Sequence, residues 1–214
     1  MLAVALVCAG AGVIGGALVA RIVAPWSPMV SSLVLWAGLL VAVAYAFSRG
    51  RPAGLLRFRP VDLLWGVVFG VALRLLYGWL QGVGAGFPTV AAIDGRVPVS
   101  WWLTDAVPGA LVAPLVEEFF FRAVVLVCVY QLLRRGLGGV AAGMTALLVS
   151  AGGFVLMHSV AGALSLSDGA QLFTVGATCA LLVLLTGRIW GAVVTHVVYN
   201  ATYLALALIG TMGA

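Results

Sequence analysis

The chain of 214 residues has no lysine, only two glutamates and only two histidines, and charged side chains make up just 8% of it. A soluble domain carries about 25% charge, so this scarcity excludes a water-soluble globular protein. All eleven basic residues are arginine and the net charge is +5. They form no basic face and have no aromatic platform beside them, which excludes nucleic acid as a partner. The three cysteines, Cys8, Cys128 and Cys179, stand singly in apolar runs. That spacing excludes a thiolate metal cluster and reads them as small packing residues. No polar stretch is long enough to make a separate soluble domain or to hold one apart. The first apolar run lacks a basic start and a small-residue exit, which argues against a cleaved signal peptide. An all-arginine basic set fits GC-rich coding, and the expected location is a bacterial plasma membrane.

What the chain does have is hydrocarbon: 64% of its residues are hydrophobic. Runs near twenty apolar residues recur from end to end, as helices crossing ~30 Å of bilayer require. The pattern predicts an all-α, polytopic transmembrane bundle of about seven spans, near 2–20, 29–47, 61–80, 106–133, 140–160, 170–186 and 189–210. Residues 81–105 form the one long loop, with Asp94 as an ordinary loop acid, closing on Trp101 and Trp102 as an interfacial aromatic pair. Seven arginines (Arg49, Arg51, Arg57, Arg59, Arg134, Arg135 and Arg188) fall in alternate loops on one face, against Arg21 and Arg96 on the other. Positive charge stays on the cytoplasmic side, so the amino terminus is expected in the cytoplasm and the carboxyl terminus outside. Membrane lipids are the expected surroundings.

The few ionisable groups inside these spans are costly, on the order of 2.5–3.5 kcal/mol for a carboxylate at the helix centre. Both glutamates, Glu117 and Glu118, lie together in the fourth span, followed by Arg122 in an EExxxR pattern. Glu118 and Arg122 are one helical turn apart and share a face, so the arginine can neutralise that carboxylate. Glu117 then points about 100° away, towards a cavity. His158 closes an FxxxH pattern begun by Phe154 in the fifth span, and His196 opens an HxxxN pattern ending at Asn200 in the seventh. A buried ion pair pinning two helices would account for one glutamate and leave the other without a partner. The two glutamates and two histidines are therefore expected to meet in one polar site. Glu117 would be a general base for water, Glu118 with Arg122 an orienting pair, His158 and His196 holders of that water, and Asn200 a partner for water or an oxyanion.

EExxxR, FxxxH and HxxxN in this order on successive membrane helices resemble the CPBP (CAAX protease and bacteriocin-processing, Abi) family of intramembrane proteases. The stretch from Gly187 through Trp190 and His196 to Asn200 resembles that family's last motif. The likeness covers roughly residues 100–210, so 101–214 reads as the catalytic membrane core and 1–100 as the additional spans and external loop. The resemblance implies hydrolysis of a peptide bond inside the bilayer, in a membrane-associated protein or peptide. It implicates Glu117, Glu118, Arg122, His158, His196 and Asn200. Because the family has been described both as metalloprotease and as glutamate-dependent, zinc or another divalent ion held by His158 and His196 stays open beside a metal-free site. The rival readings are a non-proteolytic scaffold or immunity protein of the same fold and a small transporter.

Two features sit awkwardly in this scheme. Measured from the cytoplasmic edge at 1.5 Å per residue, Glu117 lies ~25 Å along its span and His196 only ~10 Å along its own. The groups can meet only if helices tilt, extend, or are bent by Pro108 and Pro114. Arg74, inside the third span, has several prospective partners: Asp62, Asp105, lipid headgroups or a substrate carboxylate. Glycine pairs such as Gly15-Gly16 and Gly138-Gly139 read as permitting close helix packing.

Overall fold

A computed structural model describes residues 1–82, 86–92 and 96–213; Asp94 lies outside them. Helices α1 (Leu2–Ala20), α2 (Ser27–Arg49) and α3 (Pro60–Gln81) come first. They are followed by a long helical run, α4 (Val99–Val160), and then by α5 (Leu166–Thr186) and α6 (Trp190–Met212). These six helices are long and apolar enough to cross a membrane. Leu6, Val7, Ile14 and Leu18 on α1 and Leu75, Trp79 and Leu80 on α3 all face outward. A helical protein can carry so much exposed hydrocarbon only where its surroundings are lipid. The chain is an integral membrane protein.

The α4 run has 62 residues and would be about 93 Å long if straight, three times the bilayer. It is folded back on itself at Gly138, whose φ of 76° and ψ of 168° are not helical. Left-handed φ is open to glycine at no steric cost. This position makes a turn rather than a packing contact, which corrects the sequence reading of Gly138. The two arms pack antiparallel, with the Ser150 hydroxyl donating to the Phe121 carbonyl at 3.0 Å and the Phe121 and Phe154 ring centroids 5.5 Å apart. Among the described residues six helices are thus long and apolar enough to cross, close to the expected seven.

The first arm begins at Val99, not near 106. Proline lacks the amide hydrogen and crowds the preceding turn. The arm accommodates it by widening into π-type turns at Trp102–Ala106 and at Pro108–Val112, and again at Phe119–Leu126. Such turns recur at functional sites.

The start of α6 is fixed from three directions. The Arg188 guanidinium donates to the Asp62 carboxylate from Nε at 2.9 Å and from Nη2 at 2.6 Å. Asp62 also accepts from the Arg59 amide at 2.9 Å and so caps α3. The Trp190 indole donates to the Leu56 carbonyl at 2.9 Å, and the Ile189 amide to the Leu55 carbonyl at 3.0 Å. Trp190 stands edge-on to Phe119, ring centroids 6.3 Å apart. Helix α6 therefore begins level with Phe119, deep along the first arm. This removes the depth mismatch between His196 and the glutamates.

Helices α3 and α6 touch along Gly66 and Gly70. A Cβ on Gly70 would stand 2.8 Å from the Thr195 carbonyl oxygen and 2.7 Å from Val198 Cβ, so backbone would have to move. Gly70→Ala is expected to destabilise the bundle by about 1–3 kcal/mol, read as a fall of several degrees in the thermal unfolding midpoint in detergent. An unchanged midpoint would show that the two helices are not in this close register.

Candidate active site

The site is built on the first arm of α4, where a short α-helical stretch, Ala113–Glu118, passes into the wide turns of Phe119–Leu126. The one-turn spacing of EExxxR brings Arg122 Nε to 3.0 Å from Glu118 Oε2, and neither side chain is exposed at all. The contact is an ion pair whose angle falls short of a hydrogen bond. Arg122 Nη1 donates to the Ser150 hydroxyl at 3.4 Å, and its guanidinium lies 5.2 Å over the Phe154 ring. One charge in hydrocarbon is thus neutralised by another, and both are tied to the second arm.

His196, from α6, enters between the two glutamates. Its Nδ1 lies 3.0 Å from Glu118 Oε1, and its Nε2 lies 3.9 Å from Glu117 Oε2. A carboxylate can only accept, so Nδ1 carries the hydrogen towards Glu118. Glu118 is therefore held between Arg122 and His196, and Glu117, also buried, faces the other ring nitrogen. His158 Nδ1 lies 2.9 Å from the Phe154 carbonyl, which likewise assigns the hydrogen to Nδ1 and leaves Nε2 bare. The Phe154 ring separates the two imidazoles, 4.5 Å from His158 and 5.5 Å from His196, centroid to centroid.

Four of the six sequence-derived residues, Glu117, Glu118, Arg122 and His196, are brought into one chain of contacts. His158 joins them across the Phe154 ring. Asn200 is one turn beyond His196 and donates from Nδ2 to the Gly109 carbonyl at 2.9 Å. It ties α6 to the first arm about two turns before Glu117. Among the described residues no three His, Cys, Asp or Glu side chains converge as the donor set of a divalent ion requires. His158 and His196 present only two Nε2 atoms.

Ser150 was not singled out from the sequence. It braces Arg122 and the Phe121 carbonyl together. Its signal was the spacing Ser150, Phe154, His158, which repeats every four residues and lines one face of the second arm. Arg74 departs from two of the prospective partners named above. Asp62 is taken by Arg188, and Asp105 accepts from the neighbouring Thr104 hydroxyl.

Residues 99–202 match the family model described as Type II CAAX prenyl endopeptidase Rce1-like. No curated protein and no solved structure matches the chain.

Removing Arg122 leaves Glu118 as a buried charge without its counterion, a change worth about 3–5 kcal/mol. Arg122→Leu is therefore expected to yield little folded protein, and Arg122→Leu with Glu118→Leu to recover much of the loss. Size-exclusion recovery and thermal unfolding in detergent measure both. Equal instability of the single and double variants would show that the two charges do not compensate one another.

Proposed function

Starting from the membership of residues 99–202 in the Rce1-like, CPBP-type family of membrane endopeptidases, we propose that this protein hydrolyses a peptide bond in a membrane-associated protein or peptide. The reading adds a mechanism in which Glu117 activates the water. The observation that carries it is the position of His196 between two carboxylates, 3.0 Å from Glu118 and 3.9 Å from Glu117. The longer gap is too wide for a direct hydrogen bond, yet a water set to one side of it can donate to both Nε2 and Glu117.

The Glu118–Arg122 pair fixes the imidazole by taking its Nδ1 hydrogen, so that Nε2 is the face offered to water. Glu117 removes a proton as the water oxygen attacks the scissile carbonyl. The second N–H of Asn200, the one not given to Gly109, receives the oxyanion. Collapse of the tetrahedral adduct breaks the C–N bond. Glu117 returns its proton to the departing amine, leaving a carboxylic acid, an amine and the original carboxylate. His158, across the Phe154 ring, offers its bare Nε2 as an alternative to His196 for one of the water's two hydrogens. The arginine distribution supports a cytoplasmic amino terminus and an external carboxyl terminus.

Glu117→Gln keeps size and polarity while removing the base, and general-base catalysis contributes about 10²–10⁴-fold. Peptide mass spectrometry of membranes carrying wild-type or Glu117→Gln protein is expected to show new peptide termini only with the wild type, at equal protein level. Termini that persist in the variant would overturn the role of Glu117. A phenotype kept by the variant, without termini in either sample, would favour the scaffold. Treating purified protein with 1,10-phenanthroline is expected to leave turnover intact. A loss restored by zinc and abolished by His158→Ala would place a metal between the histidines instead.

A further inference from the structure

Outside the polar cluster, the one other cation buried in the spanning region among the described residues is Arg74 on α3, 8% exposed. Its Nε and Nη2 donate to the Tyr199 carbonyl at 3.3 and 2.8 Å. The guanidinium carbon sits 3.9 Å over the Tyr199 ring, 5.2 Å from that of Tyr203 and 5.7 Å from that of Tyr77. No acid lies within ion-pair distance among the described residues. A carbonyl and three ring faces stabilise a cation without neutralising it. The Tyr199 carbonyl occupies the side formed by Nε and Nη2, and among the described residues the end formed by Nη1 and Nη2 meets no other acceptor.

Arg74 lines a cavity of about 500 Å³ together with Tyr77, Gln81, Phe87, Pro88 and Tyr203. The roof is held in place: the Val90 amide donates to the Thr211 hydroxyl at 2.8 Å, and Phe87 and Pro88 lie against Gly210. The cavity is also linked to the polar cluster through one helix. Tyr199, whose carbonyl holds Arg74, follows His196 by three residues on α6, a rise of about 4.5 Å.

We propose that this cavity is a carboxylate subsite, in which Arg74 receives the carboxyl-terminal carboxylate of the substrate peptide as a forked pair. The idea rests on the protease reading above. The planar guanidinium end matches a carboxylate with two parallel hydrogen bonds. Burial beneath three aromatic rings suits the end of a chain threaded inward better than a lipid phosphate, which stays at the headgroup level. An extended peptide advances 3.3–3.6 Å per residue. A terminus at Arg74 thus leaves only a few residues between itself and a bond presented to Glu117. The protein then reads the end of its substrate and cuts a short distance upstream.

The test uses a farnesylated peptide, Cys-Val-Ile-Ala, made as the free acid and as the carboxyl-terminal amide, with full-length protein in nanodiscs. Binding is measured on the Glu117→Gln background and cleavage on the active background. Loss of a charge-assisted hydrogen bond is worth about 1.5–3 kcal/mol, so the acid is expected to bind about ten- to a hundredfold more tightly than the amide. In Arg74→Gln that ratio is expected to fall to about one, and in Arg74→Lys to an intermediate value, since charge remains without the fork. Equal binding of acid and amide by the unsubstituted Arg74 protein overturns the subsite even if cleavage is observed. Acid-selective binding that depends on Arg74, with no cleavage by the active protein, keeps the subsite and removes the protease reading. Equal loss for both peptides in Arg74→Gln assigns the arginine to structure alone. Competition by anionic lipid but not by the acid peptide assigns it to headgroups.

Discussion

The arrangement depends on a carboxylate that water cannot reach. Glu118 is completely buried inside a bundle surrounded by lipid, where an isolated ionised carboxylate would be prohibitive and a paired one is merely costly. Its two oxygens are answered by Arg122 from its own helix and by His196 from α6. Arg122 is in turn braced by Ser150 from the second arm of α4. Three crossings are thereby held at one level by a single set of charges. The set tolerates no half measures, because removing one member strands the others.

The proposed division of labour between the two glutamates follows from this constraint. Glu118, ion-paired to Arg122 and bonded to the His196 N–H, is committed to orienting the imidazole. Glu117, one residue earlier and turned by about 100°, meets His196 only at 3.9 Å and so retains capacity for water. The latch at the start of α6 sets the depth at which this happens. Asp62 with Arg188, and Leu56 with Trp190, hold the end of the helix beside Phe119. Six residues on, His196 then arrives at the glutamates and not a turn or two below them.

Much of this was legible in the residues. The spans on α1, α2 and α3 fall where hydrophobic runs predict them, and the pairing of Glu118 with Arg122 is a direct consequence of one-turn spacing. The fusion of the fourth and fifth spans into one helical run was not legible, because Gly138 reads in the sequence as a packing glycine and not as a turn. Its backbone angle decides between them. Straight-helix bookkeeping also misplaced His196, since wide turns after Pro108 and beyond Glu118 and the deep start of α6 leave no mark in a hydropathy profile. Arg74 shows the same limit. Sequence supplied its prospective partners, but the carbonyl and the nearest ring that hold it come from Tyr199 on α6, 125 residues away.

The coupling between Glu118 and His196 tests the central claim most directly, through a double-mutant cycle of Glu118→Gln and His196→Phe on unfolding free energy in bicelles. The expected result is a coupling of at least about 1.5 kcal/mol, as befits contacting groups in one network. Effects that add to within about 0.5 kcal/mol, as independent sites do, would mean that the imidazole does not bind this carboxylate and that the site is not assembled as described.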